Sequence, residues 1–210
     1  MALKPGMSCP AVYTVLTLLA FNVYGEGDQP CIVDAREGRI PSDAFVLFDG
    51  TGLSEWTSHE GGPSEWIVRY GAMIVNKSGI VTKREFGDMQ LHIEFATPEE
   101  VKGTGQDRGN SGVYLQGIYE IQVLDYYKNE TYIDGMCGSV YGQYPPLVNA
   151  SRPPGHWQTY DIIFRAPQFD TYGNVSQPAT VTLLHNGVLI QDHVSIKPTP
   201  GGVRDRENMR

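Results

Sequence analysis

Residues 109–125 read GNSGVYLQGIYEIQVLD, and apolar and polar side chains alternate within them over two short stretches. Successive side chains of a β-strand point to opposite faces of its sheet. In the first stretch Val113 and Leu115 therefore share one face, while Tyr114 and Gln116 share the other. The alternation predicts a strand that is apolar on one side and polar on the other.

Two further stretches repeat this alternation. Residues 119–125 place Glu120 and Gln122 opposite apolar neighbours, and residues 89–95 carry polar side chains at every second position. The polar set of residues 89–95 comprises Gln90, His92 and Glu94. We therefore expect three strands that each bury one face in a core and present ionisable or amide groups on the other.

The rest of the chain predicts short strands joined by turns. The 24 glycines and 14 prolines among 210 residues favour many turns, and no helix signal accompanies them. Further strands are predicted at residues 45–48, 66–70, 72–75, 80–82, 159–165, 179–185 and 188–194. Asn186-Gly187 between the last two is a strong hairpin signal. Length and pattern together predict one all-β domain, a two-sheet sandwich or jelly roll.

Charge and motifs exclude two classes of partner. The net charge of −8 argues against nucleic-acid binding, because such a chain has little to offer a phosphate backbone. The sequence also has no Gly-x-Gly-x-x-Gly fingerprint and no P-loop motif, so no nucleotide cofactor is implied.

The N-terminus resembles a secretory leader. Residues 11–21 form an apolar run after Lys4, and a polar stretch follows Gly25. We predict a signal peptide over residues 1–25 and a secreted or periplasmic protein, with no membrane span after its removal. The alternative is an N-terminal segment buried in the fold. We further predict a linker at residues 26–42, the folded domain at 43–196 and a polar tail at 197–210.

Several motifs in a fixed order resemble the 3-keto-disaccharide hydrolase domain family, long known as domain of unknown function 1080. They are FVLFDG at 45–50, GNSGVY at 109–114, YEIQVLD at 119–125, VYG at 140–142, PGHWQTY at 154–160 and HNGV at 185–188. The resemblance covers about residues 44–196. It implies a concanavalin-like jelly roll, bacterial export, and cleavage of glycosides oxidised at C3 by elimination or net hydrolysis.

The C-terminus departs from the family pattern. Members usually continue past the hairpin into further strands, whereas residues 197–210 are polar and unlike a strand. We therefore expect a sandwich that lacks its last strands, which leaves an inactive relative as one alternative. A noncatalytic carbohydrate-binding module of the same form is another.

The implied chemistry needs a base, an acid and a group that stabilises an enolate. A ketone at C3 acidifies the C2 proton, so proton abstraction becomes the difficult step. We predict Glu120 as the base, with His92 as its partner and Glu94 beside it. We leave open whether His92, Glu94 and Glu120 bind a divalent metal. Side chains two residues apart on a strand point to the same face, so they can converge on one ion. The alternative is a solvated polar face whose residues pair across strands.

The remaining candidates are predicted to bind substrate. Their side chains offer charges, amides and hydroxyls for a sugar, and aromatic rings on which a pyranose stacks. The set comprises Arg108, Asn110, Tyr114, Gln116, Gln122, Asp125, Tyr141 and His156. The predicted partner is an oligosaccharide or other glycoside.

Overall fold

The computed structural model describes residues 1–5, 12–20, 32–37 and 39–200. These residues form fifteen strands and two 3₁₀ turns of three residues each, Gly105–Asp107 and Ile133–Gly135. The strands are β1 Ala2–Pro5, β2 Val12–Ala20, β3 Phe45–Phe48, β4 Trp56–Ser58, β5 Ile67–Arg69, β6 Ala72–Ile74, β7 Ile80–Thr82, β8 Met89–Ala96, β9 Ser111–Leu115, β10 Tyr119–Val123, β11 Gln158–Arg165, β12 Gln168–Phe169, β13 Val175–Gln177, β14 Ala179–His185 and β15 Val188–Ile196.

The strands are arranged in two large antiparallel sheets. The front sheet has five strands in the order β10-β9-β1-β7-β4. The back sheet has eight, in the order β15-β14-β11-β8-β2-β6-β5, with β3 paired to β2. A small hairpin of β12 and β13 stands apart from both. The protein is thus an all-β jelly-roll sandwich, as the sequence pattern predicts.

A single apolar core lies between the two sheets. Leu91, Ile93 and Phe95 of β8 contribute from the back sheet, Val113 and Ile121 from the front sheet, and all are fully buried. Burying one such side chain stabilises the fold by roughly 1.5–3 kcal/mol. The alternating residues of β8, β9 and β10 must therefore point away from the core, each on the outer face of its own sheet.

A tyrosine hydroxyl fixes how the sheets face one another. Tyr160 of β11 lies in the core, and its hydroxyl donates a hydrogen bond to the backbone oxygen of Gln122 in β10, 2.7 Å away. Its ring also packs against Phe95, with the ring centroids 4.8 Å apart. Back-sheet strand β11 and front-sheet strand β10 therefore lie directly across the core from each other.

The predicted hairpin is confirmed. Asn186 and Gly187 connect β14 to β15 with φ angles of 53° and 79°. Positive φ at both central positions is the geometry of the two-residue turn that suits twisted antiparallel strands.

The predicted signal peptide and linker include residues that form strands and residues that the structure does not describe. The predicted signal peptide overlaps β1, which lies between β7 and β9, and β2, which pairs with β8, β6 and β3. Residues 6–11 and 21–31 lie outside the described part of the chain, as does residue 38. The leader and the linker stay predictions. No helix among the described residues has the length and apolarity to cross a membrane.

Only the beginning of the predicted polar tail, residues 197–200, is described. Thr199 in it is buried, and its backbone N–H donates to the Ile118 oxygen at 2.7 Å. Its hydroxyl accepts a hydrogen bond from the Glu120 N–H at 3.2 Å. This part of the tail therefore packs along the edge of β10 that faces away from β9.

A buried histidine at the end of β14 makes stability depend on pH. His185 packs beside the Phe95 and Tyr160 rings and shares a hydrogen bond with Gln158, 2.9 Å away. Burial lowers the pKa of His185 to about 4, and the charge of Arg152 contributes. The folded protein thus keeps the imidazole neutral where the unfolded chain, with a pKa near 6.5, already takes up a proton.

We expect His185 to reduce stability as pH falls from about 6.5 towards 4. Between about pH 7.5 and pH 5, the protonation of His185 in the unfolded chain should lower the free energy of unfolding by about 2 kcal/mol. Urea unfolding at both values, in the wild type and in His185→Phe, checks this. Because other groups also titrate, the quantity of interest is the difference between the two proteins. An equal pH dependence in both would contradict the prediction.

Candidate active site

The outer face of the front sheet presents a carboxylate beside a glycine. Glu120 and Gln122 of β10 share this face, and Gln122 lies opposite Gly112 of β9 in the strand register. A β-carbon built on Gly112 would lie 2.5 Å from Glu120 Oε1. The absence of a side chain at Gly112 therefore makes room for the Glu120 carboxylate, which is buried with 8% of the residue exposed.

A buried phenol adjoins this carboxylate. Tyr114 of β9 lies opposite Glu120 in the register and is almost fully buried. Burial raises the pKa of the Tyr114 hydroxyl far above its ordinary value, and the charge of Glu120 and a hydrogen bond to it raise the pKa further. The phenol thus stays protonated at any physiological pH and acts as an O–H donor next to a carboxylate acceptor.

The segment that follows β10 closes one side of the site. Tyr141 N–H donates to the Glu120 backbone oxygen at 3.1 Å, and Gln122 N–H donates to the Ser139 oxygen at 3.0 Å. The Tyr132 and Tyr141 hydroxyls share a short hydrogen bond. Partial desolvation of the hydroxyl, followed by this hydrogen bond, raises the pKa of Tyr132, although 48% of the residue is exposed. We call Tyr114, Glu120, Gln122, Tyr132 and Tyr141 the front-sheet site.

A network of side-chain amides holds Gln122 of the front-sheet site in place. Gln106 Nε2 donates to the Gly135 oxygen and to Thr131 Oγ1, both at 2.9 Å. Gln106 Oε1 accepts from Gln122 Nε2 at 2.8 Å and from Asn110 Nδ2 at 3.3 Å. Gln122 is thereby held by the loop that carries Tyr132.

Arg108 and Asp125 pair with each other. Arg108 Nε lies 2.6 Å from Asp125 Oδ2, and the two side chains are only 13% and 2% exposed. The guanidinium also donates to the Tyr127 backbone oxygen at 2.9 Å. In this arrangement both residues tie the segment before β9 to the segment after β10, rather than presenting charges to a sugar.

Two other predicted binding residues lie apart from the front-sheet site. Gln116 follows β9 in the hairpin turn with a φ of 50°, so the strand alternation that placed it beside Tyr114 has already ended. His156 is exposed in a loop, where its Nδ1 lies 3.2 Å from the Pro154 oxygen.

The structure does not bring His92 and Glu120 together. His92 and Glu94 lie on the outer face of the back sheet, where His92 Nδ1 is 2.6 Å from Asp161 Oδ1 of β11. Asp161 raises the pKa of His92 through this hydrogen bond. Since the core separates the two outer faces, the grouping of His92 with Glu120 is corrected. Alternation tells which residues of one strand share a face, but not to which sheet the strand belongs.

Comparison with known proteins identifies the family. Residues 43–208 match the 3-keto-alpha-glucoside-1,2-lyase-like domain. The chain belongs to this family. Among solved structures it resembles a "putative glycosyl hydrolase" of Parabacteroides distasonis, with 46% identity, a TM-score of 0.78, and coverage of 87% of this chain and 79% of that one.

A second structure from the same organism, with the same description, shares only the fold. It is 18% identical, with a TM-score of 0.50 and coverage of 70% of this chain and 69% of the other. Among curated proteins, none matches this chain. The comparisons thus support a carbohydrate-active member of the 3-keto-alpha-glucoside-1,2-lyase-like family.

The three residues considered as metal ligands lie on the outer faces of two different sheets. His92 and Glu94 lie on the back sheet and Glu120 on the front sheet, so the three cannot bind one ion. Within the described ranges, no three His, Cys, Asp or Glu side chains are grouped closely enough to hold a metal.

We expect His92→Gln to leave turnover of a 3-keto-glucoside within about twofold of wild type. Any effect should fall on stability, at most about 1 kcal/mol, because the His92–Asp161 pair is a third or more exposed. Steady-state kinetics with thermal unfolding of the same preparation checks this. A loss of tenfold or more in kcat/KM without unfolding would return His92 to the mechanism.

Sequence reasoning missed Gln106, Tyr132 and Thr199. Gln106 stands in the Gly-rich segment before β9, and Tyr132 in the loop after β10. Both lie outside any strand, so no alternation marks the direction of their side chains. Thr199 falls in the stretch interpreted as a polar tail, where nothing in the sequence indicates its contact with β10.

Proposed function

We propose that this protein cleaves the glycosidic bond of 3-keto-glucosides, starting with abstraction of the C2 proton by Glu120. The observation that carries the proposal is the buried Glu120 carboxylate, which lies over Gly112 with the protonated Tyr114 phenol beside it. A carboxylate and a phenol in contact provide the base and the acid that the reaction needs. The family and the resemblance to a glycosyl hydrolase support a sugar as the substrate.

The first step forms an enolate. The C2–H bond breaks, its proton passes to the Glu120 carboxylate, and the electron pair moves onto the C3 ketone oxygen. A phenol that donates to this oxygen stabilises the charge, and removal of one such donor typically costs about 10²–10³-fold in rate. The hydroxyls available for this are that of Tyr114, which is hydrogen-bonded to Glu120, and that of Tyr141, which is hydrogen-bonded to Tyr132.

The second step expels the leaving group. The C3 carbonyl re-forms, the electron pair makes a C1=C2 double bond, and the bond from C1 to the aglycone oxygen breaks. The aglycone oxygen takes a proton from Tyr114, and Tyr114 takes back the proton that Glu120 received from C2. The products are an unsaturated keto sugar and an alcohol, and both side chains return to their starting states. Net hydrolysis follows if water adds across the double bond, with hydroxyl at C1 and hydrogen at C2.

The reaction is tested with 4-nitrophenyl 3-keto-α-glucoside and its unoxidised parent, with and without chelator. We expect nitrophenol release from the keto sugar alone, and solvent deuterium at C2 of any hydrolysed product formed in D₂O. Equal cleavage of both sugars without deuterium would indicate direct displacement at C1. Saturable binding without release of nitrophenol would instead support a carbohydrate-binding module.

Export is a further part of the proposal and rests on the apolar run of residues 11–21. Mass spectrometry of the protein from a bacterial periplasm would give its N-terminus directly. A terminus after Gly25 supports export with removal of β1 and β2. A terminus at Met1 supports the alternative, in which these strands remain in the sheets.

A further inference from the structure

The side-chain oxygen of Gln122 is deeply buried. The residue is 1% exposed, and its Oε1 receives no hydrogen bond in the described part of the chain. Buried polar atoms in folded proteins are almost always paired, with protein groups, water or a ligand. An unpaired acceptor at this depth therefore indicates a donor that binds here from outside the chain.

The amide network fixes which way this oxygen points. A backbone carbonyl can only accept, so the bond to the Gly135 oxygen requires Gln106 to present its Nε2 there. Gln106 Oε1 must then face Gln122, which donates to it through Nε2 at 2.8 Å. Rotating the Gln122 amide by 180° would set two oxygens against each other. Gln106 thus acts as a positioning residue that keeps Gln122 Oε1 free to accept.

The oxygen belongs to the same face as the proposed base. Glu120 and Gln122 are two residues apart on β10, and Gly112 lies opposite Gln122 while leaving room for Glu120 Oε1. A ligand placed for proton abstraction by Glu120 would therefore lie next to the Gln122 amide. A neutral amide oxygen accepts from a hydroxyl, but it gains nothing from a ketone or an ether oxygen.

We propose that Gln122 Oε1 accepts a hydrogen bond from a sugar hydroxyl and thereby selects substrates that carry it. The inference rests on the proposed function. Because the oxidised C3 has no hydroxyl left to donate, the recognised group is a neighbouring one, at C2 or C4. Gln122 would thus orient the ring with its keto carbon away from the amide and its C2–H towards Glu120.

The experiment measures equilibrium binding in a Glu120→Gln background, so that turnover does not consume the ligand. The ligands are methyl 3-keto-α-glucoside and its 2-deoxy and 4-deoxy analogues, titrated by calorimetry. With Gln122 present, we expect one analogue to bind roughly tenfold or more weakly than the parent sugar. In Gln122→Met we expect parent and analogue to bind within about twofold of each other.

Gln191→Met is the matched control. Gln191 is equally buried, but its Nε2 donates to backbone oxygens of Gly138 and Pro145, both at 3.1 Å. Its loss should weaken folding and leave the preference for the parent sugar intact. Gln122→Asn keeps an amide but draws its oxygen back by one methylene. It should therefore lose the preference, which provides a second test if Gln122→Met does not fold.

The outcomes separate the two proposals. An equal preference with Gln122 and with methionine, or its full retention in Gln122→Asn, would overturn the hydroxyl assignment and leave a buried water as the missing donor. Absence of turnover in the wild type would overturn the proposed reaction, yet the binding comparison would still decide the role of Gln122.

Discussion

Replacing Glu120 by glutamine is expected to lower kcat for 3-keto-glucoside cleavage by about 10²–10⁴-fold, with little change in folding. The amide has nearly the same shape as the carboxylate, so it still fits over Gly112 and still accepts from Tyr114. It cannot take up the C2 proton at neutral pH. Single-turnover measurement of nitrophenol release, with a thermal melt of the same sample, checks the prediction.

Glu94→Gln is the control for this substitution. Glu94 is a half-buried carboxylate on the outer face of the back sheet, so its loss removes the same charge from the opposite side of the sandwich. We expect its kcat to stay within about twofold of wild type. If Glu94→Gln lost activity while Glu120→Gln kept it, the reaction would belong to the back-sheet face. Wild-type rates in both would remove the carboxylate base from the mechanism.

The strands could be predicted from the sequence because each carries its own signal. Residues 80–82 and 179–185 have the predicted bounds, and Leu91, Ile93 and Phe95, which alternation assigned to the core, are fully buried. A period of two follows from the geometry of one strand, so it needs no knowledge of the partner strands. The fold class and the inward faces follow from this local rule.

The site could be predicted only in part because it depends on which strands share a sheet. Alternation correctly placed Tyr114 and Glu120 away from the core, and the strand register puts them opposite each other. It gave no reason to separate His92, whose strand lies in the other sheet. Tyr132 and Gln106 depend on the path of loops, which follows from tertiary contacts rather than from a repeating pattern.

The buried ion pair beside the site gives the second large effect. Asp125→Asn is expected to destabilise the protein by about 3–5 kcal/mol, because it leaves the Arg108 charge buried without its partner. The new amide has only one acceptor oxygen, so its NH₂ group would face either Arg108 Nε or the Tyr127 N–H, both of which are donors. Because Arg108 follows Gln106 closely in the chain, we expect weaker sugar binding as well. Urea unfolding and calorimetric titration measure the two effects.

Asp161→Asn shows whether burial, rather than ion pairing itself, sets the size of this loss. The Asp161–His92 pair has the same 2.6 Å separation, but its side chains are 39% and 34% exposed. Water screens such a pair, so we expect a loss of at most about 1 kcal/mol. Similar losses in the two variants would mean that the Arg108–Asp125 pair does not depend on its buried setting. A small loss of stability in Asp125→Asn would show that Arg108 does not depend on Asp125 as its partner. Arg108 would then be available for the substrate-binding role predicted from the sequence.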